Sequence, residues 1–151
     1  MTDPIRVQPL QPEDRADWQR LWQGYLGFYS TSRSDAVFDI TFERLCTPDS
    51  GEFRCLMASH GETIVGLAHF LSHRHCWHEN NVIYLQDLFV DEKARGCGIG
   101  RALIGAVEDI ARREHAPAVY WITHEDNHDA RRLYDRMAEN TGFIKYQMNI
   151  T

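Results

Sequence analysis

Apolar positions along the chain change their period several times, and each change marks an element. Ile5, Val7 and Pro9 alternate with polar residues, which predicts a short first strand. Pro12, Glu13 and Asp14 then open a helix, since proline suits a first turn and acids suit the positive end. Trp18, Leu21, Trp22 and Tyr25 recur at i, i+3, i+4 and i+7, a core-facing helical stripe. Residues 27–39 are polar and interrupted and predict a loop; a second helical piece spans residues 41–46 before Pro48 stops it. Two strand-like runs, residues 53–58 and 63–71, flank Ser59-His60-Gly61-Glu62 and predict a hairpin.

The longest coherent pattern covers residues 82–113. An apolar run at 82–90 leads through a charged hinge at 91–94 to glycines at 96, 98 and 100. Leu103, Ile104, Val107, Ile110 and Ala111 then lie on a single helical face. The unit reads strand, loop, helix. Beyond it, Pro117 ends the helix and residues 119–123 predict a short buried strand. Asn127 is a good N-cap for a helix carrying Ala130, Leu133, Tyr134 and Met137 on one stripe, and after Gly142 residues 143–150 predict a final strand. A crossover helix between the runs at 82–90 and 119–123 implies that these two strands are parallel. The expected class is α/β, a mixed and mostly antiparallel sheet with a central parallel pair, flanked by helices.

Gly96, Gly98 and Gly100 remove Cβ atoms from the start of a helix, where unpartnered amides and the helix dipole favour an anion. Arg95 and Arg101 flank them and would add charge-assisted bonds to phosphate. The loop therefore reads as a diphosphate cradle. The dinucleotide fingerprint does not fit, because a charged insert separates strand from glycines and the spacing is G-x-G-x-G; the triphosphate loop is absent.

Arg95-Gly96-Cys97-Gly98-Ile99-Gly100 resembles the R/Q-x-x-G-x-G/A loop of the GNAT family of N-acetyltransferases, and Tyr84-Leu85-Gln86-Asp87-Leu88-Phe89-Val90 is similar to that family's fourth strand, especially in its polyamine and histone-type branch. The resemblance covers most of the chain and implies acetyl-coenzyme A as co-substrate, direct attack by a primary amine in a ternary complex, and no metal. It implies that Gly96, Cys97, Gly98 and Gly100 bind pyrophosphate with Arg95 and Arg101, that the backbone at Leu88 and Val90 meets pantetheine and the thioester, and that Asn127 holds the pantetheine arm. Tyr134, seven residues after Asn127, matches the family's general acid; a phenol is protonated at neutral pH and can donate to a thiolate. Similar enzymes often carry glutamate where this chain has Gln86, which cannot take a proton. The neighbouring Asp87 could serve as base, although strict alternation aims it at the other sheet face unless a bulge intervenes. Phe28, Tyr29 and Asp35 fall in the region that covers the acceptor in this family.

Length and charge narrow the picture further. At 151 residues one domain, 1–151, is expected, and no apolar run reaches the roughly 20 residues of a membrane span. A net charge of −6 argues against general nucleic-acid binding and suits a cationic acceptor. Four scattered cysteines and the lack of a secretory pattern at the start point to the cytoplasm. After Gly142 there is room for one strand where the family has two, leaving an edge that a second subunit could cover, so a homodimer is expected. Competing readings are a coenzyme A-binding module without catalysis, and a zinc peptidase built on His124-Glu125-Asp126-Asn127-His128, which satisfies H-E-x-x-H. That chemistry needs all five residues in one helix, and Asp-Asn is more typical of a helix start. The loop carrying His73, His75, Cys76 and His78 could in principle hold metal, but no second half of a tetrahedral site accompanies it.

Overall fold

The structure, a computed structural model, describes residues 3–47, 49 and 51–150. It contains two compact units, one reaching to Trp121 and one starting at Ile122. The first holds β1 (Ile5–Pro9), α1 (Arg15–Phe28), α2 (Asp35–Cys46), β2 (Arg54–His60), β3 (Thr63–His73), β4 (Val82–Val90), α3 (Ile99–Arg113) and β5 (Val119–Tyr120). Strand order is β1-β2-β3-β4-β5, antiparallel throughout except for the parallel β4–β5 pair. This is the mixed sheet that the crossover argument predicts.

The two sheet faces are covered by different helices. Trp18, Leu21, Trp22 and Leu26 of α1 and Phe38, Phe42 and Leu45 of α2 pack with Met57 and Leu67 into one cluster. On the other face α3 buries Ile99, Leu103, Ile104, Val107 and Ala111. Gly66 permits the close approach there: a Cβ on it would stand 3.1 Å from Ile99 Cγ2 and 3.2 Å from Leu103 Cδ1. Much of β3 and β4 is thus covered on both faces, which suits their near-continuous apolar runs.

The polar stretch is shorter than its composition suggests. α1 runs on to Phe28 and α2 begins at Asp35, so only residues 29–34 form the loop. Ser34 caps α2 by accepting from the Val37 amide, and Val37 and Phe38 continue the apolar stripe toward Phe42. Pro48, expected to stop this helix, lies outside the described residues. β5 is also shorter than expected, two residues rather than five.

The second unit comprises α4 (His128–Met137) and a segment without regular structure after Gly142. The final strand expected at residues 143–150 does not form: no strand is seen there, because a strand exists only by pairing and this segment lies outside the sheet order. No helix among the described residues is long and apolar enough to cross a membrane.

Candidate active site

A bulge in β4 decides which face of the sheet carries the chemistry. His69 of β3 pairs with Asp87, and the next residue, Phe70, pairs with Leu85, so Gln86 is the extra residue. Cross-strand partners share a face and consecutive residues do not, so Leu85 and Asp87 point opposite ways although they are two apart. Asp87 is turned beneath α1 and Gln86 is left exposed.

Asp87 is 4% exposed and well partnered. His69 Nδ1 donates to its Oδ2 at 2.9 Å, and Trp22 Nε1 donates to the same oxygen at 3.3 Å. Trp18 Nε1 donates to His69 Nε2 at 2.9 Å, so His69 must carry its proton on Nδ1, and both its nitrogens are engaged. His69 therefore positions the carboxylate and has no lone pair left for a substrate. Burial alone would raise the Asp87 carboxyl, but hydrogen bonds from His69, Tyr25 and Gln86 outweigh it and hold the group below its ordinary range. Burial and the nearby Asp87 charge push the Tyr25 hydroxyl far upward, and the same two causes raise Tyr29. Both phenols stay protonated donors.

These groups open into a cavity of about 520 Å³ between α1, α2 and the sheet. Trp22, Tyr25 and Tyr29 form aromatic wall, Asp87 and Glu52 bring negative charge, and Arg33 and Arg44 bring positive charge. Arg33 is fixed on its loop by donating to Thr31 Oγ1 and the Ser32 carbonyl, each at 2.7 Å. Of the residues expected near an acceptor, Tyr29 lines the cavity; Phe28 instead stacks against the Arg95 guanidinium, and Asp35 sits in the first turn of α2.

Beside the bulge, β4 presents an open edge. The ladder with β5 covers only Ile83–Val119 and Tyr84–Tyr120. Asp91 donates its amide to Val65 on β3, so by alternation the amides of Val90 and Leu88 face away from β3, toward the gap. These are the two positions expected to meet a thioester and its pantetheine arm. The gap leads to the glycine loop, where Gly96 and Gly98 take the left-handed φ values +83° and +87°. Gly98 is the N-cap of α3, and a Cβ on Gly96 would meet nothing within 4 Å, so the cradle is open. Gly100 lies in the first turn of α3; Cys97 and Arg101 are exposed. Together these residues fit a coenzyme A diphosphate: free helix-start amides, a bare backbone and Arg101 beside it. Arg95, expected at the diphosphate, has partners on β4 and α1. Its Nε donates to the Val90 carbonyl at 3.1 Å and its guanidinium stacks between Phe28 and Phe89, so here it braces the end of β4.

In the second unit Asn127 occupies the N-cap of α4 but does not cap through its side chain; its Nδ2 donates to Thr123 Oγ1 at 3.3 Å. Tyr134 lies on the half-buried stripe of α4 with Ala130, Leu133 and Met137. His124, Glu125 and Asp126 precede the helix, which starts at His128, so the H-E-x-x-H residues do not share a helical face. No metal-holding group is found among the described residues; His73 bonds the Tyr120 hydroxyl at 2.7 Å.

Sequence reading missed His69, Trp18 and Trp22 as supports of Asp87, and Arg33 and Arg44 as cavity charges. The one available signal was His69, a lone titratable residue within an apolar strand.

Residues 18–138 match the family model described as Acetyltransferase (GNAT) family. The chain is 38% identical over 151 residues to the D-amino-acid N-acetyltransferase HPA3 of Saccharomyces cerevisiae, covering 99% of this chain and 93% of that protein. Two solved structures share the fold. One is a ribosomal-protein-alanine N-acetyltransferase from Brucella melitensis biovar Abortus 2308, with TM-score 0.80, 20% identity, and coverage of 97% of this chain and 100% of that one. The other is AAC(6')-Iy in complex with the bisubstrate analogue CoA-S-monomethyl-acetylneamine, with TM-score 0.83, 14% identity, and coverage of 98% and 99%.

Proposed function

The chain belongs to the GNAT acetyltransferase family and is an acetyl-CoA-dependent N-acetyltransferase, and we propose that its acceptor is the primary amine of a small zwitterion, an amino acid. The observation that carries this is the mixed charge of the cavity: the buried Asp87 carboxylate beside the open edge of β4, with Glu52 and two arginines lining the same space. An ammonium group suits Asp87 and a carboxylate suits Arg33 and Arg44, whereas a polycation would meet both arginines at a cost. The action of the yeast relative on D-amino acids supports the same class.

The amine attacks directly in a ternary complex. Bound acetyl-CoA supplies an activated acyl carbonyl; the residues of this chain do the rest. The Leu88 or Val90 amide donates to the carbonyl oxygen as it gains negative charge. The amine binds neutral and becomes cationic as it forms its bond to the acyl carbon; Asp87, which stays ionised, stabilises that gained charge until the nitrogen gives its proton to solvent and the C–S bond breaks. Tyr134 donates a proton to the leaving thiolate. Tyr134→Phe is expected to lower kcat roughly a hundredfold while leaving the acetyl-CoA thermal shift in place. Unchanged kcat would remove it as the acid.

The acceptor class is tested by following thiol release with amino acids of both hands, with the amines formed by their decarboxylation, and with spermidine. Amino acids should be preferred, and Arg33→Ala with Arg44→Ala should erase that preference, raising KM for amino acids about 10- to 100-fold with little change in kcat. Faster turnover of the decarboxylated amines or of spermidine would overturn the reading. Acetyl-CoA binding without turnover of any amine would leave a silent coenzyme A module.

A further inference from the structure

Trp18 is 0% exposed, and among the described residues it is the largest of the fully buried side chains. A buried indole needs a partner for its N–H, and here the partner is Nε2 of His69, 51 residues away and at 2.9 Å. The ring itself is held from several sides. It stacks on Trp22 at 5.3 Å between centroids and meets Phe42 at 5.1 Å and Phe38 at 5.9 Å. An indole packed in this way cannot turn, so its N–H has a fixed aim.

That aim bears on charge. A histidine beside a carboxylate can stay neutral, donating from Nδ1 and keeping a lone pair on Nε2, or it can take a second proton on Nε2 and form an ion pair. The first state leaves the charge of the carboxylate whole; the second cancels it. Asp87, at 2.9 Å, by itself favours the second, because an opposite charge stabilises the protonated ring. Trp18 opposes it, since its N–H occupies the lone pair that the second proton would need. The other polar groups around the ring do not reverse this. Cys55, the cross-strand partner of His69 on β2, has a thiol pushed up by burial and stays neutral, as does the Tyr25 hydroxyl on α1. Trp22 donates to Asp87. The Arg15 guanidinium lies 5.7 Å from the centroid of the Trp18 ring and is engaged by Asp39 at 2.7 Å.

We propose that Trp18 is a positioning residue for acetyl transfer: by donating to Nε2 it holds His69 neutral with its proton on Nδ1, so that Asp87 meets the acceptor nitrogen with an uncancelled negative charge. Trp18 touches neither substrate nor cofactor in this role and acts through two further side chains. His69 is then a neutral strut, chosen for having a donor and an acceptor on opposite edges of one rigid ring. The inference rests on the role given to Asp87 above.

Two measurements test it. Nitrogen NMR of the full chain with labelled histidine, the His69 signal being assigned by its loss in His69→Asn, should show the proton on Nδ1 and none on Nε2 from about pH 5 to 8. A protonated Nε2 in that range, in the neutral or the charged ring, overturns the proposal. In Trp18→Phe the lone pair is released, and kcat should gain an acid limb between about pH 5 and 8, falling about 10- to 100-fold below it. That limb should stay put when the acceptor is changed, and His69→Asn in the same background should remove it, because asparagine can donate to Asp87 but cannot take a proton. A merely structural role for Trp18 would lower stability without adding a limb, and a Trp18→Phe profile of wild-type shape overturns the proposal. Failure of the role of Asp87 is a different result: unchanged kcat in Asp87→Asn, whatever the state of His69. Should Trp18→Phe not fold, the nitrogen spectrum of the unaltered chain decides.

Discussion

Asp87→Asn is expected to lower kcat for acetyl transfer about 10²- to 10³-fold, with acetyl-CoA binding retained. Asparagine keeps the shape and can still accept from His69 and Trp22 through its oxygen, so the buried donors that converge on this residue stay satisfied. What disappears is a negative charge beside the attacking nitrogen, which matters most once that nitrogen has become cationic. The loss should thus fall on kcat more than on KM. Asp87→Ala goes further and leaves the His69 and Trp22 donors without an acceptor, at about 1–3 kcal/mol of stability for each unmade bond. Steady-state kinetics with a melting curve separates the two effects. Wild-type kcat in a folded Asp87→Asn protein would sink the proposed role.

The lowered Asp87 carboxyl also sets a pH expectation. A group whose folded pKa is depressed contributes stability that is fully present above its unfolded pKa and is lost as pH falls through the folded one. Its contribution is therefore intact at neutrality and begins to be lost only below the ordinary aspartate value of 3.8. In kinetics the same fact means that Asp87 is ionised across the working range. The acid limb of kcat/KM should follow the amine of the acceptor, moving when the acceptor is changed and staying put in Asp87→Asn.

The second large effect is expected in the cradle. Gly98→Val should abolish the thermal shift given by acetyl-CoA, a shift worth about 2.7 kcal/mol when ligand stands at 100 times its dissociation constant. Gly98 has φ +87°, which valine adopts only with strain of about 1–2 kcal/mol. A Cβ there meets only Ile5 Cδ1 at 3.9 Å, an ordinary contact, so the protein itself has room and the fold should survive. The branched side chain instead stands where phosphate must approach the amides at the start of α3. Gly105→Ala is the control: it lies within α3, its added Cβ meets nothing within 4 Å, and it should keep the shift while adding up to about 1 kcal/mol of helix stability. A full shift in Gly98→Val would show that the ligand binds elsewhere.

Much of this was legible from residue order alone. The span of β4 was read to the residue, because an apolar run bounded by a charged hinge carries its own limits. The glycine-led start of α3 is legible because glycine spacing at a helix start acts through the backbone, which needs no distant partner. The loop before α2 was misjudged since Ser34 and Asp35 look like loop residues and serve as cap and first-turn acid. Charge beside glycines points Arg95 at phosphate; its contacts with Phe28, Phe89 and the Val90 carbonyl come from α1 and β4 and are not legible in the loop itself.

Residue order by itself thus determined the parallel crossover, the open glycine loop at the head of α3 and the family to which the chain belongs, all of them properties of contiguous segments. Only the tertiary structure decided that Asp87 lies beneath α1 rather than α3. Two strands settled their register by expelling Gln86, and Trp18, which donates to His69 from 51 residues away, braces the result. It also decided where β5 stops. The physical reason is the same in each case: hydrophobic period and backbone preference act within a few residues, whereas bulges, buried hydrogen bonds and strand ends exist only between segments that meet in space.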